Sequence, residues 1–82
     1  MIIVYSKMAC AFCERAKYLL GQKGEDWKEI RIGKDIDIDE FKELFPDART
    51  VPQIVEMTES GAKKIGGYDD LVNWYTAKEM SI

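Results

Sequence analysis

The chain has 82 residues, 46% of them apolar and 33% charged, with a formal net charge of -3 at pH 7 and a pI near 4.9. So short a chain buries only about 60–65% of the surface its unfolded form exposes, so residues 1–82 are expected to form one domain with surface grooves and no large internal cavity. The acidic balance, with lysines interleaved among acids, argues against a nucleic-acid binder, and no run of about 18 apolar residues is present to span a membrane.

Met1–Tyr5 is a β-branched run that reads as a buried strand, too short and without the cleavage region a signal peptide needs; a cytoplasmic, monomeric protein is expected. After the turn-like Ser6, Lys7 and Met8, a helix is predicted from Ala11. It places Cys13, Ala16, Leu19 and Leu20 on one face and Glu14, Arg15, Lys17 and Gln22 on the other, with Gly21 and Gly24 as its stop. Trp27–Ile32 reads as a second strand. Asp37 followed by Glu40 resembles a capping box that opens a helix with Ile38, Phe41, Leu44 and Phe45 on one side, ended by Pro46. Pro52–Met57 and Ala62–Ile65 are predicted to pair as an antiparallel hairpin across Thr58–Gly61. Gly66 and Gly67 then lead into a last helix marked by Leu71, Trp74, Tyr75 and Lys78. The order β-α-β-α-β-β-α, with a right-handed parallel crossover at its start and a hairpin near its end, implies an α/β fold with a mixed four-stranded sheet flanked by helices, a thioredoxin-like architecture.

The chain contains two cysteines and no histidine. Two cysteines are too few for a secreted disulfide framework, and without histidine a thiol here must be activated by something other than an imidazole. Half of a zinc site shared with another chain, or two ordinary buried residues, are the alternatives to redox chemistry. Cys10 and Cys13, three apart at a helix entrance, put the first sulfur at the N-cap and the second one turn inward, within disulfide reach. The helix N-terminus favours the Cys10 thiolate, and Lys7 can add positive charge. If the thiol pKa fell from ~8.5 to ~5, the thiolate fraction at pH 7 would rise about thirtyfold while intrinsic nucleophilicity fell roughly fortyfold. Attack would gain almost nothing; departure of Cys10 from a mixed disulfide would gain a great deal.

Four features in order make the chain resemble the glutaredoxin family over nearly its whole length: Lys7 three residues before Cys10, the Cys10-Ala11-Phe12-Cys13 motif, Thr50-Val51-Pro52, and the run from Gly66 to Leu71. The resemblance implies a glutathione-dependent thiol-disulfide oxidoreductase in which Cys10 attacks and Cys13 resolves, with glutathione as co-substrate and no permanently bound cofactor. It implies a cis bond before Pro52, backbone pairing of Val51 with the glutathione cysteine, and a groove that also uses Thr50 and Phe12. The helix entrance at Gly67, Tyr68, Asp69 and Asp70 would hold the γ-glutamyl end, although either acid alone reads as a helix cap. Lys7 and Arg49 would face the glycine carboxylate. The expected partners are glutathione and disulfide-containing or glutathionylated proteins, ribonucleotide reductase among them. The alternatives are a redoxin reloaded by a thioredoxin reductase, which supplies ribonucleotide reductase, and a dimer bridging an iron-sulfur cluster. The family motif usually begins Cys-Pro and often has Tyr third; Ala11 and Phe12 depart from it, so potential and thiol pKa do not transfer.

Overall fold

The β-branched opening of the chain lies at the middle of the sheet. In the computed structural model, which describes residues 1–80, β1 (Ile2–Ser6) runs parallel to β2 (Trp27–Arg31), pairing Ile2 with Trp27 and Val4 with Glu29. On its other side β1 pairs antiparallel with β3 (Gln53–Thr58), Val4 opposite Ile54, and β3 pairs antiparallel with β4 (Gly61–Gly66). The strand order is β2-β1-β3-β4, and the β3–β4 register shifts between Ile54 and Val55, a bulge that leaves Ile65 as the extra residue. The predicted order and the antiparallel hairpin are what the chain adopts, as the mixed sheet expected from the sequence.

Alternation along β1 divides the core. Ile2 and Val4, with Ile54 of β3, face α1 (Ala11–Gln22) and α3 (Tyr68–Met80), whose Ala16, Leu20, Leu71 and Tyr75 complete one cluster. The opposite face carries Val55 and Tyr5 beneath α2 (Ile38–Leu44), where Tyr5, Phe41 and Phe45 pack with ring centroids 4.9 Å (Tyr5–Phe45) and 5.1 Å (Phe41–Phe45) apart. No helix among the described residues is long and apolar enough to cross a membrane.

Three expectations require correction. Gly21 lies inside α1, and the helix is closed by Lys23 and then by Gly24 at φ +67°, a left-handed position that glycine adopts without a Cβ clash. Ile38 and Leu44 are about half exposed, at 49% and 50%, because α2 makes only two turns and the Phe41–Phe45 pair already covers the sheet beneath it. Lys17 does not face outward but lies folded along α1 against β2, where Glu29 meets it. The capping residue of α2 is as expected: Asp37 Oδ1 accepts the Glu40 N–H at 2.8 Å.

Leu20 is fully buried where α1 meets β1 and α3. Leu20→Ala should therefore lower the unfolding free energy by about 2–5 kcal/mol. The measurement is urea denaturation, with the midpoint lowered and the slope unchanged.

Candidate functional site

β1 delivers the chain to a tight turn in which Ala9 takes φ +56°, a left-handed conformation that costs a non-glycine residue roughly 1–2 kcal/mol. The next residue, Cys10, returns to an extended conformation and becomes the N-cap of α1. Its sulfur accepts the Cys13 N–H at 3.2 Å, and its carbonyl accepts the Glu14 N–H at 3.2 Å. Sulfur thus fills a position usually taken by a serine or aspartate oxygen, and the unpaired N–H groups of the first turn favour the anionic form of whatever sits there. A disulfide joins Cys10 to Cys13 with their Cα atoms 5.2 Å apart. Cys13 is only 1% exposed, whereas Cys10 is half-buried at the surface, so an incoming sulfur can reach Cys10 first.

Beside the dithiol, the Val51–Pro52 peptide is cis, and the Val51 carbonyl oxygen lies 3.7 Å from Cys10 Sγ. Gln53 Nε2 donates to the Thr50 carbonyl at 2.8 Å and fixes the approach to the cis bond. A groove of about 420 Å³ runs from here to the start of α3, bringing together Phe12, Thr50, Val51, Pro52, Gly67, Tyr68, Asp69 and Asp70. Phe12, 51% exposed, stands over the groove with its ring 6.0 Å from that of Tyr68 and the Arg15 guanidinium 5.2 Å from its centroid. Lys7 and Arg49 line a separate pocket of about 250 Å³ that shares Thr50 and Val51 with the groove. The two acids at the entrance of α3 are both exposed and both line the groove, but they differ in bonding: Asp70 Oδ2 accepts the Gly67 N–H at 2.9 Å and caps the helix, while Asp69 makes no such bond among the described residues.

Two features escaped the sequence reading. Gln53 carried only the weak signal of following the proline. The other is a polar cluster under α1, in which the buried Ser6 hydroxyl donates to Glu29 at 2.5 Å, Lys17 Nζ donates to both Glu29 and Glu14 at 3.0 Å, and Arg31 donates to Glu29 at 3.2 Å. It ties the helix that carries the cysteines to β1 and β2. The Ser6 hydrogen bond, with those from Lys17 and Arg31, outweighs the cost of burial and holds the Glu29 carboxyl at a pKa of about 2. Burial alone would lower the Lys17 pKa, but hydrogen bonds to Glu29 and Glu14 leave it raised. Alternation of Trp27, Glu29 and Arg31 on one face of an edge strand was the available signal, since charges pointing toward a helix need partners.

Two predictions come from this geometry. Because Glu29 titrates lower in the folded chain than its ordinary value of about 4.3, its contribution to stability is complete above about pH 4.3 and is lost as pH falls toward 2. Denaturant midpoints followed across that window should fall for the parent chain and fall less steeply for Glu29→Gln. At Gly66, φ is +120° and an added Cβ would collide with the Asp70 carboxylate. Gly66→Ala should therefore displace the Asp70 cap, cost at least about 1 kcal/mol of stability, and weaken any ligand bound along the Gly67–Asp70 wall. Thermal unfolding and ligand titration read the two effects separately.

The family model described as Glutaredoxin matches residues 2–59, which include both cysteines and Thr50–Pro52 but end before the Gly66–Asp70 wall. Glutaredoxin 3 of Escherichia coli K12 is 38% identical over 68 residues, covering 83% of this chain and 77% of that protein. The hybrid peroxiredoxin hyPrx5 of Haemophilus influenzae is 38% identical over 74 residues, 90% of this chain, but the chain spans only 29% of that longer protein. Among solved structures, the buckwheat glutaredoxin-glutathione complex superposes with a TM-score of 0.73 at 28% identity, over 96% of this chain and 71% of that one.

Proposed function

The chain belongs to the glutaredoxin family of thiol-disulfide oxidoreductases, and from that premise we propose that it reduces protein disulfides and glutathione mixed disulfides with glutathione as its reductant. The observation that carries the glutathione reading is the groove itself. A helix-capping sulfur stands 3.7 Å from the Val51 carbonyl, with an α-helix entrance at one end and cations at the other. The buckwheat protein named as a glutathione complex shares this fold over 96% of the chain.

Glutathione has an ammonium and a carboxylate at its γ-glutamyl end and a single carboxylate at its glycine end, so it is polar in the same sense as the groove. Its γ-glutamyl carboxylate meets the unpaired N–H groups of Tyr68 and Asp69, and Asp69, which has no capping duty, faces the α-ammonium. Asp70 contributes indirectly, by holding Gly67. The glutathione cysteine pairs its backbone with Val51 in the manner of a one-residue strand addition, Phe12 and Pro52 pack against it, and Lys7 and Arg49 face the glycine carboxylate.

In the reaction, the Cys10 thiolate attacks one sulfur of a substrate disulfide, the substrate S–S bond breaks, and the other sulfur leaves as a thiolate that takes a proton from water. The Cys10 mixed disulfide is then resolved by Cys13, giving the Cys10–Cys13 disulfide, or by glutathione. Two glutathione thiols return the dithiol and leave as oxidised glutathione. The helix N-terminus lowers the basicity of Cys10 and so makes it a fast leaving group in the resolving step.

A peroxiredoxin is a second protein substrate worth testing, because the region of hyPrx5 similar to this chain is part of a protein named as a hybrid peroxiredoxin. Cys10→Ser should abolish both deglutathionylation and protein-disulfide reduction. Cys13→Ser should keep deglutathionylation and lose reduction of intramolecular protein disulfides at least tenfold. Coupled assays on a glutathionylated peptide, an intramolecular disulfide protein and an oxidised peroxiredoxin check these outcomes. Full glutathione-dependent activity in Cys10→Ser would refute the reading.

A further inference from the structure

Glycine has no side chain, yet the end of the groove assigned to it opens into more than a carboxylate site. The pocket there, about 250 Å³, has Ile32, Phe41 and Ala48 among its lining and three cations around it: Lys7, Lys42 and Arg49. Ile38, the α2 residue that stays half exposed, adds a further apolar wall. Among the described residues no carboxylate lines the pocket, and none of the three cations takes part in an ion pair. Because Thr50 and Val51 border both the groove and the pocket, a chain paired with Val51 runs directly into it.

A glycine carboxylate would satisfy Lys7 and Arg49 but would leave the apolar lining and Lys42 without a partner. Two further residues of extended chain span about 7 Å, which suits a pocket of this size. We infer that this pocket recognises the two residues following the reactive cysteine of a protein substrate, and that it favours a large aliphatic residue followed by an acid. The inference rests on the glutathione reading for the direction in which a bound chain runs. Its physical basis is complementarity: an apolar side chain covers Ile32, Ile38 and Phe41, and an acid next to it lies among three cations that no carboxylate among the described residues pairs with. Reaction on such a substrate is balanced by the dithiol alone. Cys10 and Cys13 lose two electrons in forming their disulfide, and the peptide disulfide gains them in becoming two thiols.

The test uses the full chain, reduced beforehand and freed of reductant. It is mixed in single turnover with symmetric disulfides of the blocked peptides Gly-Cys-Leu-Asp, Gly-Cys-Leu-Lys and Gly-Cys-Gly-Asp, then quenched in acid and read by mass. No glutathione is present, so the result does not depend on it. The Leu-Asp peptide should react about tenfold faster than Leu-Lys and several-fold faster than Gly-Asp, the first ratio shrinking at high salt. Lys42→Glu, a change at an exposed helix position, should bring the Leu-Asp to Leu-Lys ratio below threefold. A ratio below threefold in the parent chain, a Gly-Asp peptide as fast as Leu-Asp, or a ratio unaltered in Lys42→Glu would each overturn the inference. A parallel incubation with oxidised glutathione keeps the two readings apart: failure to form a Cys10–glutathione adduct counts against the glutathione reading, whatever the peptides do.

Discussion

The hydrogen bond from the Cys13 N–H to the Cys10 sulfur is the contact around which the site is organised. It defines where α1 begins, and it gives the two sulfurs different surroundings although they lie three residues apart. The bond requires Cys10 to be extended directly before the first helical residue, which in turn requires the left-handed turn at Ala9. A strained residue survives only where its surroundings over-determine it. Here β1 is fixed from both sides by β2 and β3, while α1 is fixed by Ala16 and Leu20 in the core and by Lys17 at Glu29. The turn between them has nowhere else to go, so the reactive sulfur is positioned by the packing of the sheet centre more than by its own loop.

The same division of labour holds across the groove. Val51 and Pro52 stand at the threshold of β3, which pairs with β1, so the cis peptide and the cysteine turn are carried by two neighbouring strands and keep a fixed separation. The third wall comes from a different source. Gly66 ends β4 at a φ open to glycine, and the Asp70 carboxylate occupies the space where a Cβ would lie in order to bond Gly67. One acid is therefore spent on shaping the backbone, while its neighbour Asp69 stays exposed on the groove without that bond.

Legibility in the sequence followed the strength of local signals. The β-branched run that holds Ile2 and Val4 and the helical spacing of Ala16 and Leu20 identified the elements that meet on the α1–α3 face, because those residues are buried where these elements pack. The pattern failed at Ile38 and Leu44: apolar spacing says which residues share a side of a helix but not whether the sheet beneath is wide enough to cover them. It failed again at Lys17, since a long cation on a helix surface is indistinguishable from a solvated one until the edge strand presenting Glu29 is in place. Ser6 gave no signal, as a serine at the end of a strand reads as a turn residue. Of the site, the cysteine pair and the Thr50–Pro52 run were legible as motifs, whereas the unequal roles of Asp69 and Asp70 depend on which carboxylate the backbone places over Gly67.

The outer strands of the sheet carry a different consequence. A sheet of four strands exposes two rows of unpaired backbone groups, and another chain in extended conformation could add to either. β2 is five residues long and carries Lys28, Glu29 and Arg31, while β4 carries exposed Lys63 and Lys64 beside the bulge that breaks its register. Charge, shortness and irregularity at both margins oppose edge-to-edge polymerisation. The folded chain is thereby kept from templating on its own copies, because neither margin offers a long, regular, apolar row to pair with.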